Sequence, residues 1–404
     1  MRRVSHSTLW AAAVALSVGM AIPAQAADPV KVGILVTTSG PYANWGRSYQ
    51  QSIDLYLDQH NGKDGNPKIE VLYRDVGGDN PPRARQLAQD LIVRDEVAVL
   101  GGLEFTTTVL AMADLINQAK IPFVIFNSAT SVVTDKSPNF VRASFTQWQS
   151  LYPLAQWAVQ QKYKTCEMFV ADYAPGQDAI DAFSYGFTHG GGKMLDTIRV
   201  PMGTTDFSSY FQRVHDNGPN CLVAFMPGGP MSAGTLKGFA ERGFSKQGIQ
   251  LMGSGETPEY DLPAVGDAAI GTVTSLHYGP YLDNPENKAF VKEMVARYGD
   301  KMAGSLPSFI HVQAYDGMEI LFRMLRATGG KRDLDKMMAA AKGYSWKSPR
   351  GPVEVDPETR ELVQNIYIRR VEKMPDGKLG NVAFETFKAM KDPWHTLHIG
   401  AQKK

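Results

Sequence analysis

Residues 97–130 constrain the fold more than any other part of the chain, because they read as strand, loop, helix and strand in immediate succession. Residues 97–100 are a short apolar run ending at Gly101-Gly102, Val109, Met112, Ala113 and Ile116 recur at helical spacing, and 123–126 are apolar again. Strand, crossover helix and strand make a right-handed βαβ unit with parallel strands, and ligands of such sheets sit beyond the carboxyl ends of the strands. Here those ends carry Glu104-Phe105-Thr106-Thr107 and Asn127-Ser128-Ala129-Thr130. Amides at Thr106 and Thr107, with the hydroxyls of Ser128 and Thr130, are suited to receive a carboxylate. The same residue types also serve as helix caps and turn formers.

The alternation continues on both sides. Residues 30–37 form a strand that turns at Ser39-Gly40-Pro41-Tyr42 into a helix whose Tyr49, Ile53, Tyr56 and Leu57 share a face, and 68–73 form a second strand. Asp79-Asn80-Pro81-Pro82 starts a helix carrying Ala84, Leu87, Ala88 and Leu91. Pro138 and 141–146 break the pattern. A second series then runs through a helix with Trp148, Leu151, Tyr152, Ala155 and Val159, strands at 165–171, 195–200, 221–226, 250–252 and 271–275, and helices after Pro175-Gly176, at 207–215 and at 232–242. Two similar series predict an α/β protein of two doubly wound parallel-sheet lobes with a cleft between them. Helical patterns at 287–298, 309–327 and 334–341 follow, and 351–355, Asp356-Pro357-Glu358 and 362–371 read as a β-hairpin.

The amino end has Arg2-Arg3, an apolar run over 9–22 and the small-residue site Ala24-Gln25-Ala26. These describe a secretory signal peptide, residues 1–26, cleaved before Ala27 to leave a periplasmic chain. Pro23 follows the run too closely for a membrane span. Loss of Arg2 and Arg3 takes 42 basic residues to 40 against 41 acidic ones, a net charge of −1 that favours neither nucleic acid nor an anionic membrane. Export permits a disulfide between Cys166 and Cys221, which fall near the starts of two strands, and two buried free thiols fit equally well.

Catalytic chemistry is not legible. No serine sits in a nucleophile elbow, His189-Gly190-Gly191-Gly192-Lys193 lacks the spacing of a phosphate loop and reads as a turn, and the eight histidines make no metal-spaced pair. His311 reads as a core or capping residue, and Asp172 and Glu256 as isolated loop acids. The chain is therefore expected to be no enzyme and to need no cofactor or metal.

Val30-Lys31-Val32-Gly33-Ile34-Leu35 with the Gly-Pro loop to Gly46, Val99-Leu100-Gly101-Gly102, Asn127-Ser128-Ala129-Thr130, Ala314-Tyr315-Asp316-Gly317 and Ser348-Pro349-Arg350-Gly351-Pro352 occur in this order. In that order and spacing they resemble the periplasmic solute-binding proteins of the branched-chain and hydrophobic amino-acid type, the leucine-binding-protein-like family of ABC importers. The likeness covers nearly the whole mature chain. It implies lobe 1 from 27–145 plus 276–348 and lobe 2 from 146–275 plus 349–404, with interlobe crossings near 142–147, 275–278 and 346–351 and closure on solute by hinge motion. It also implies membrane permease subunits as partners, no nucleic acid, and a monomer.

The resemblance carries ligand roles to Trp45 of the Gly-Pro loop, to Phe105 and Thr106, and to Ser128, Ala129 and Thr130 as the carboxylate-receiving segment. In the second lobe it points to Tyr173, Gly228 and Glu256, the last near the acid that meets an ammonium group, and it adds Tyr315 in the third motif. Phe105 departs from the family, whose amino-acid binders usually place a small hydroxyl residue there. Trp45, Phe105, Tyr173, Tyr278 and Tyr281 would line an aromatic cleft. A free ammonium would need Glu104, Asp172 or Glu256 aimed at it. The expected solute is a small carboxylate with an apolar or aromatic body. Branched-chain amino acids or amides, and a sensing module that reports to a membrane receptor, are the competing readings.

Overall fold

The computed structural model describes residues 28–399, so the expected signal peptide lies outside the described residues. Among those residues, no helix is long and apolar enough to cross a membrane. Five strands, β1 (Val30–Val36), β2 (Ile69–Asp75), β3 (Val99–Gly102), β4 (Phe123–Ile125) and β5 (Phe140–Arg142), form a parallel sheet in the order β2-β1-β3-β4-β5. The second sheet contains β6 (Thr165–Ala171), β7 (Lys193–Val200), β8 (Cys221–Phe225), β9 (Gln250–Gly253), β10 (Val273–Leu276), β11 (Ser345–Ser348), β12 (Gly351–Val355), β13 (Leu362–Lys373) and β14 (Leu379–Met390). Its order is β11-β12-β13-β10-β9-β8-β6-β7, with β14 on β13; β6 to β10 run parallel and β10 to β14 antiparallel.

The two-lobed α/β architecture follows from side-chain periodicity. Tyr49, Ile53 and Tyr56, spaced three and four apart on the helix Ala43–His60, are buried against the first sheet. The helix Pro81–Val93 starts where Asn80 accepts a hydrogen bond from the Arg83 amide at 3.2 Å, the side-chain capping that its sequence anticipates. Each sheet is covered on both faces, by separate apolar clusters on its two sides, which suits strands with continuous apolar runs.

Three local expectations change. The single helix expected through Val109–Ile116 is two short ones, Thr106–Leu110 and Ala113–Ala119. Three consecutive threonines are poor helix formers, and the Thr108 hydroxyl donates to the Phe105 carbonyl at 2.7 Å, competing with the helix ladder. The break after Pro138 contains the edge strand β5. The expected hairpin forms as β12 and β13, with Val355 opposite Leu362, and β14 extends it. Cys166 and Cys221 face each other across β6 and β8 and form a disulfide.

The chain passes between the sheets after Arg142, after Leu276 and before Ser345, and the first passage is tied by buried polar groups to the segment that follows the last. Arg350, fully buried, contacts Asp316 through Nε at 2.7 Å and donates to Gln364 at 2.9 Å and to the Ala143 carbonyl at 3.0 Å. Gln364 donates in turn to the Ser144 carbonyl at 2.7 Å, and Gln149 donates to the Leu362 carbonyl at 2.7 Å. Thr146 and Gln149 form a reciprocal capping box at the start of the helix Gln147–Gln160.

Candidate functional site

A cavity of about 510 Å³, part of it open to solvent, lies where the carboxyl ends of both parallel sheets meet. In both sheets the strand order reverses beside the first strand of the series, between β1 and β3 and between β6 and β8, and crevices at such points are where doubly wound sheets bind ligands. Each reversal point presents one stacked aromatic pair. Trp45, on the helix after β1, stacks on Phe105, after β3, with ring centroids 5.8 Å apart and planes 11° from parallel. Tyr173, after β6, stacks on Phe225, at the end of β8, at 5.8 Å and 12°. Close approach at the β3 exit requires glycine: a Cβ on Gly102, whose φ is +110°, would lie 2.0 Å from the Leu35 carbonyl oxygen.

Polar groups are few and specific. Asn127, Gln147 and Ser254 line the cavity, and Asn127 Oδ1, both amide atoms of Gln147 and Ser254 Oγ are buried without a hydrogen-bond partner among the described residues. Glu104 also lines it, but its carboxylate oxygens accept from the Thr37 amide at 3.0 Å and the Thr37 hydroxyl at 2.9 Å. Burial pushes the Glu104 carboxyl up to about 7.

Trp45, Phe105, Thr106, Ala129, Tyr173 and Gly228 come together on the cavity wall. Ser128 and Thr130 sit one layer behind. The Ser128 hydroxyl donates to Thr106 Oγ1 at 3.2 Å, and Thr130 Oγ1 lies 3.1 Å from the same atom, so both act on the wall through Thr106. Ser128 holds a φ of +76°, an uncommon conformation for a residue with a side chain.

The other three sequence candidates do not line the cavity. Glu256 is buried, accepts from the Met226 amide at 3.2 Å, and is pushed by burial up to about 8. Tyr278 is fully buried in the first lobe's core against Phe290. Tyr315 packs on Tyr56 and donates to Gln59 at 2.5 Å. Among the loop acids, Asp172 pairs with Arg199 at 3.2 Å on the surface. His311 caps its helix: its Nδ1 accepts from the Ser308 amide at 3.0 Å.

Phe145, Gln147, Phe225, Ser254 and Phe309 line the cavity without having been singled out from sequence. Phe225 and Ser254 stand just at or beyond strand ends, so the rule that selects the Phe105 loop reaches them too. Phe145, Gln147 and Phe309 belong to a lobe crossing and to a helix start, where no local pattern marks them.

A family model described as a periplasmic binding protein matches residues 29–378. The chain is 43% identical over 375 residues to the Leu/Ile/Val-binding protein homolog 6 of Brucella melitensis, covering 93% of this chain and 95% of that protein. A solute-binding protein of an ABC transporter from Rhodopseudomonas palustris HaA2, solved with p-hydroxybenzoic acid, matches with a TM-score of 0.87 at 43% identity, over 90% of this chain and 98% of that one. Another, from Rhodopseudomonas palustris BisB5 and solved with 3,4-dihydroxybenzoic acid, matches with a TM-score of 0.86 at 40% identity, over 91% and 100%. A leucine-binding protein from Thermotoga maritima, 20% identical with a TM-score of 0.75 over 89% and 99%, shares the fold.

Proposed function

Because this chain belongs to the family of periplasmic binding proteins, we propose that it captures a small aromatic carboxylate between its lobes and delivers it to the permease of an ABC importer. The observation that carries this reading is the stacked aromatic pair at each lobe's reversal point, which offers a flat apolar solute a wall on either side. Thr106, oriented by Ser128 and Thr130, and the unpaired amide of Gln147 would take the polar ends of the solute. Relatives solved with hydroxylated benzoic acids support the same class. We further propose that the chain acts as a monomer, by binding rather than by catalysis, after export and cleavage behind Ala26. The lobes would be 27–145 plus 276–348 and 146–275 plus 349–404.

An amino-acid solute is less well served. Its ammonium would need an ionised carboxylate, yet Glu104 is engaged by Thr37 and Glu256 is tucked away, both with raised pKa values. The name of the Brucella relative favours the branched-chain reading, so calorimetric titration with 4-hydroxybenzoate and with leucine separates the two. Binding of the benzoate with no heat from leucine is expected, and the reverse result would overturn the proposal.

Two finer outcomes belong to the same experiment. Gln147→Leu removes a buried amide that has no partner among the described residues, so 4-hydroxybenzoate binding should weaken by about 1.5–3 kcal/mol, roughly 10- to 150-fold. An anionic solute beside Glu104 would also make that carboxyl harder to ionise. Affinity should then fall as pH rises through about 7, by at most about tenfold per pH unit, with proton uptake on binding. Titrations in buffers of different ionisation enthalpy measure that uptake, and a flat affinity would uncouple Glu104 from the solute.

A further inference from the structure

We propose that Glu361, Asp392 and His395 form a binding site for one divalent transition-metal ion of the zinc class, away from the solute cavity. Glu361 precedes β13, and Asp392 and His395 belong to the carboxyl-terminal segment that packs beside it. Glu361 Oε2, Asp392 Oδ2 and His395 Nδ1 all lie within 4.8 Å of one another. None of the three has a hydrogen-bond partner among the described residues, although Glu361 and Asp392 are only 2% and 4% exposed.

The spacing argues for a shared ion. His395 Nδ1 is 3.5 Å from Asp392 Oδ2 and 3.7 Å from Glu361 Oε2, too far for good hydrogen bonds. Ligands held about 2.0–2.2 Å from a tetrahedral metal stand about 3.3–3.6 Å from one another. One imidazole with two carboxylates suits zinc, manganese or cobalt better than calcium, which takes six to eight oxygens. His395 keeps a fifth of its side chain exposed, so the cluster lies one side chain below the surface, with its three donor atoms themselves buried.

The surroundings fix each donor from behind, as outer partners of metal ligands do. His395 Nε2 lies 3.2 Å from Asp135 Oδ1. With a metal bound and Nε2 donating there, Nδ1 would turn its lone pair to the ion between the two acids. Glu361 Oε1 is taken by the Thr134 hydroxyl at 3.1 Å and by Arg142 at 3.3 Å, and Asp392 Oδ1 accepts from the Trp394 amide at 3.0 Å. Every ligand thus has one atom engaged and the other aimed inward. Arg142 also donates to the Thr130 carbonyl at 2.7 Å, which links this cluster to the loop behind the solute cavity.

The competing account makes His395 an imidazolium that simply neutralises the two acids. Titrating chelator-stripped mature protein with zinc chloride by calorimetry distinguishes them. One equivalent should bind, and Asp392→Asn and His395→Gln should each weaken binding by more than the roughly 10- to 100-fold that losing an outer-shell partner costs. No uptake by the unaltered chain, or equal affinity in both variants, would overturn the site and leave the imidazolium account. Should either variant fail to fold, cobalt loading of the unaltered chain decides. Strong visible bands of a four-coordinate ion support the site, and the pale spectrum of the aqua ion refutes it.

Discussion

Replacing Asp316 with alanine is expected to lower the unfolding free energy by about 3–5 kcal/mol. It strands the Arg350 guanidinium in a site where both residues are fully buried. The Asp316 carboxylate also accepts from Trp346 Nε1 at 3.0 Å and from the Ser348 hydroxyl at 2.7 Å, so the substitution leaves three donors without their acceptor. Urea unfolding of the purified protein measures the loss. The double variant Asp316→Ala with Arg350→Met should recover much of it, since removing both charges avoids an uncompensated buried ion. A single variant as stable as the parent would show that the charge finds water, and with it that the passages between the lobes are less tightly tied than they look.

The second large effect concerns Cys166 and Cys221, which close a loop of 55 residues in sequence between neighbouring parallel strands. In the chain-entropy picture, a cross-link over a loop of that size stabilises by about 4 kcal/mol, with about 2–5 kcal/mol the usual cost of deletion. The Cys166→Ala, Cys221→Ala variant should therefore unfold at markedly lower urea. Solute affinity should hardly change, because the bridge lies near the amino ends of β6 and β8 while Tyr173 and Phe225 stand at the carboxyl ends. Weakened solute binding in a folded variant would mean that the bridge sets the spacing of the second aromatic pair.

The two-lobed plan was legible because nearly every buried strand is a short apolar run flanked by a helix with inward residues at three- and four-residue spacing. Strand β14 carried no such mark: its exposed residues include Phe384, which is 43% exposed, and among the described residues it pairs only with β13. One rule, that residues just past parallel strands face ligand, selected the loop with Phe105 and Thr106, whereas Trp45 and Tyr173 came from the family resemblance. The rule says nothing about which aromatic turns back into its own lobe. Tyr278 and Tyr315 do so because Phe290 and Tyr56 are there to receive them, and those partners come from segments far apart in sequence. Whether two cysteines near strand starts bridge likewise depended on β6 and β8 being neighbours in register, which sequence order alone leaves open.

The web around Arg350 has a mechanical corollary. Its bonds join the Ala143 carbonyl, the helix that holds Asp316 and strand β13, so the passage after Arg142 and the one that carries Arg350 are held to one another. Any closure of the halves on solute would therefore have to bend backbone outside this knot. The two aromatic pairs would then be carried toward each other by segments anchored at a shared point, so the knot helps fix how the cleft's walls face one another.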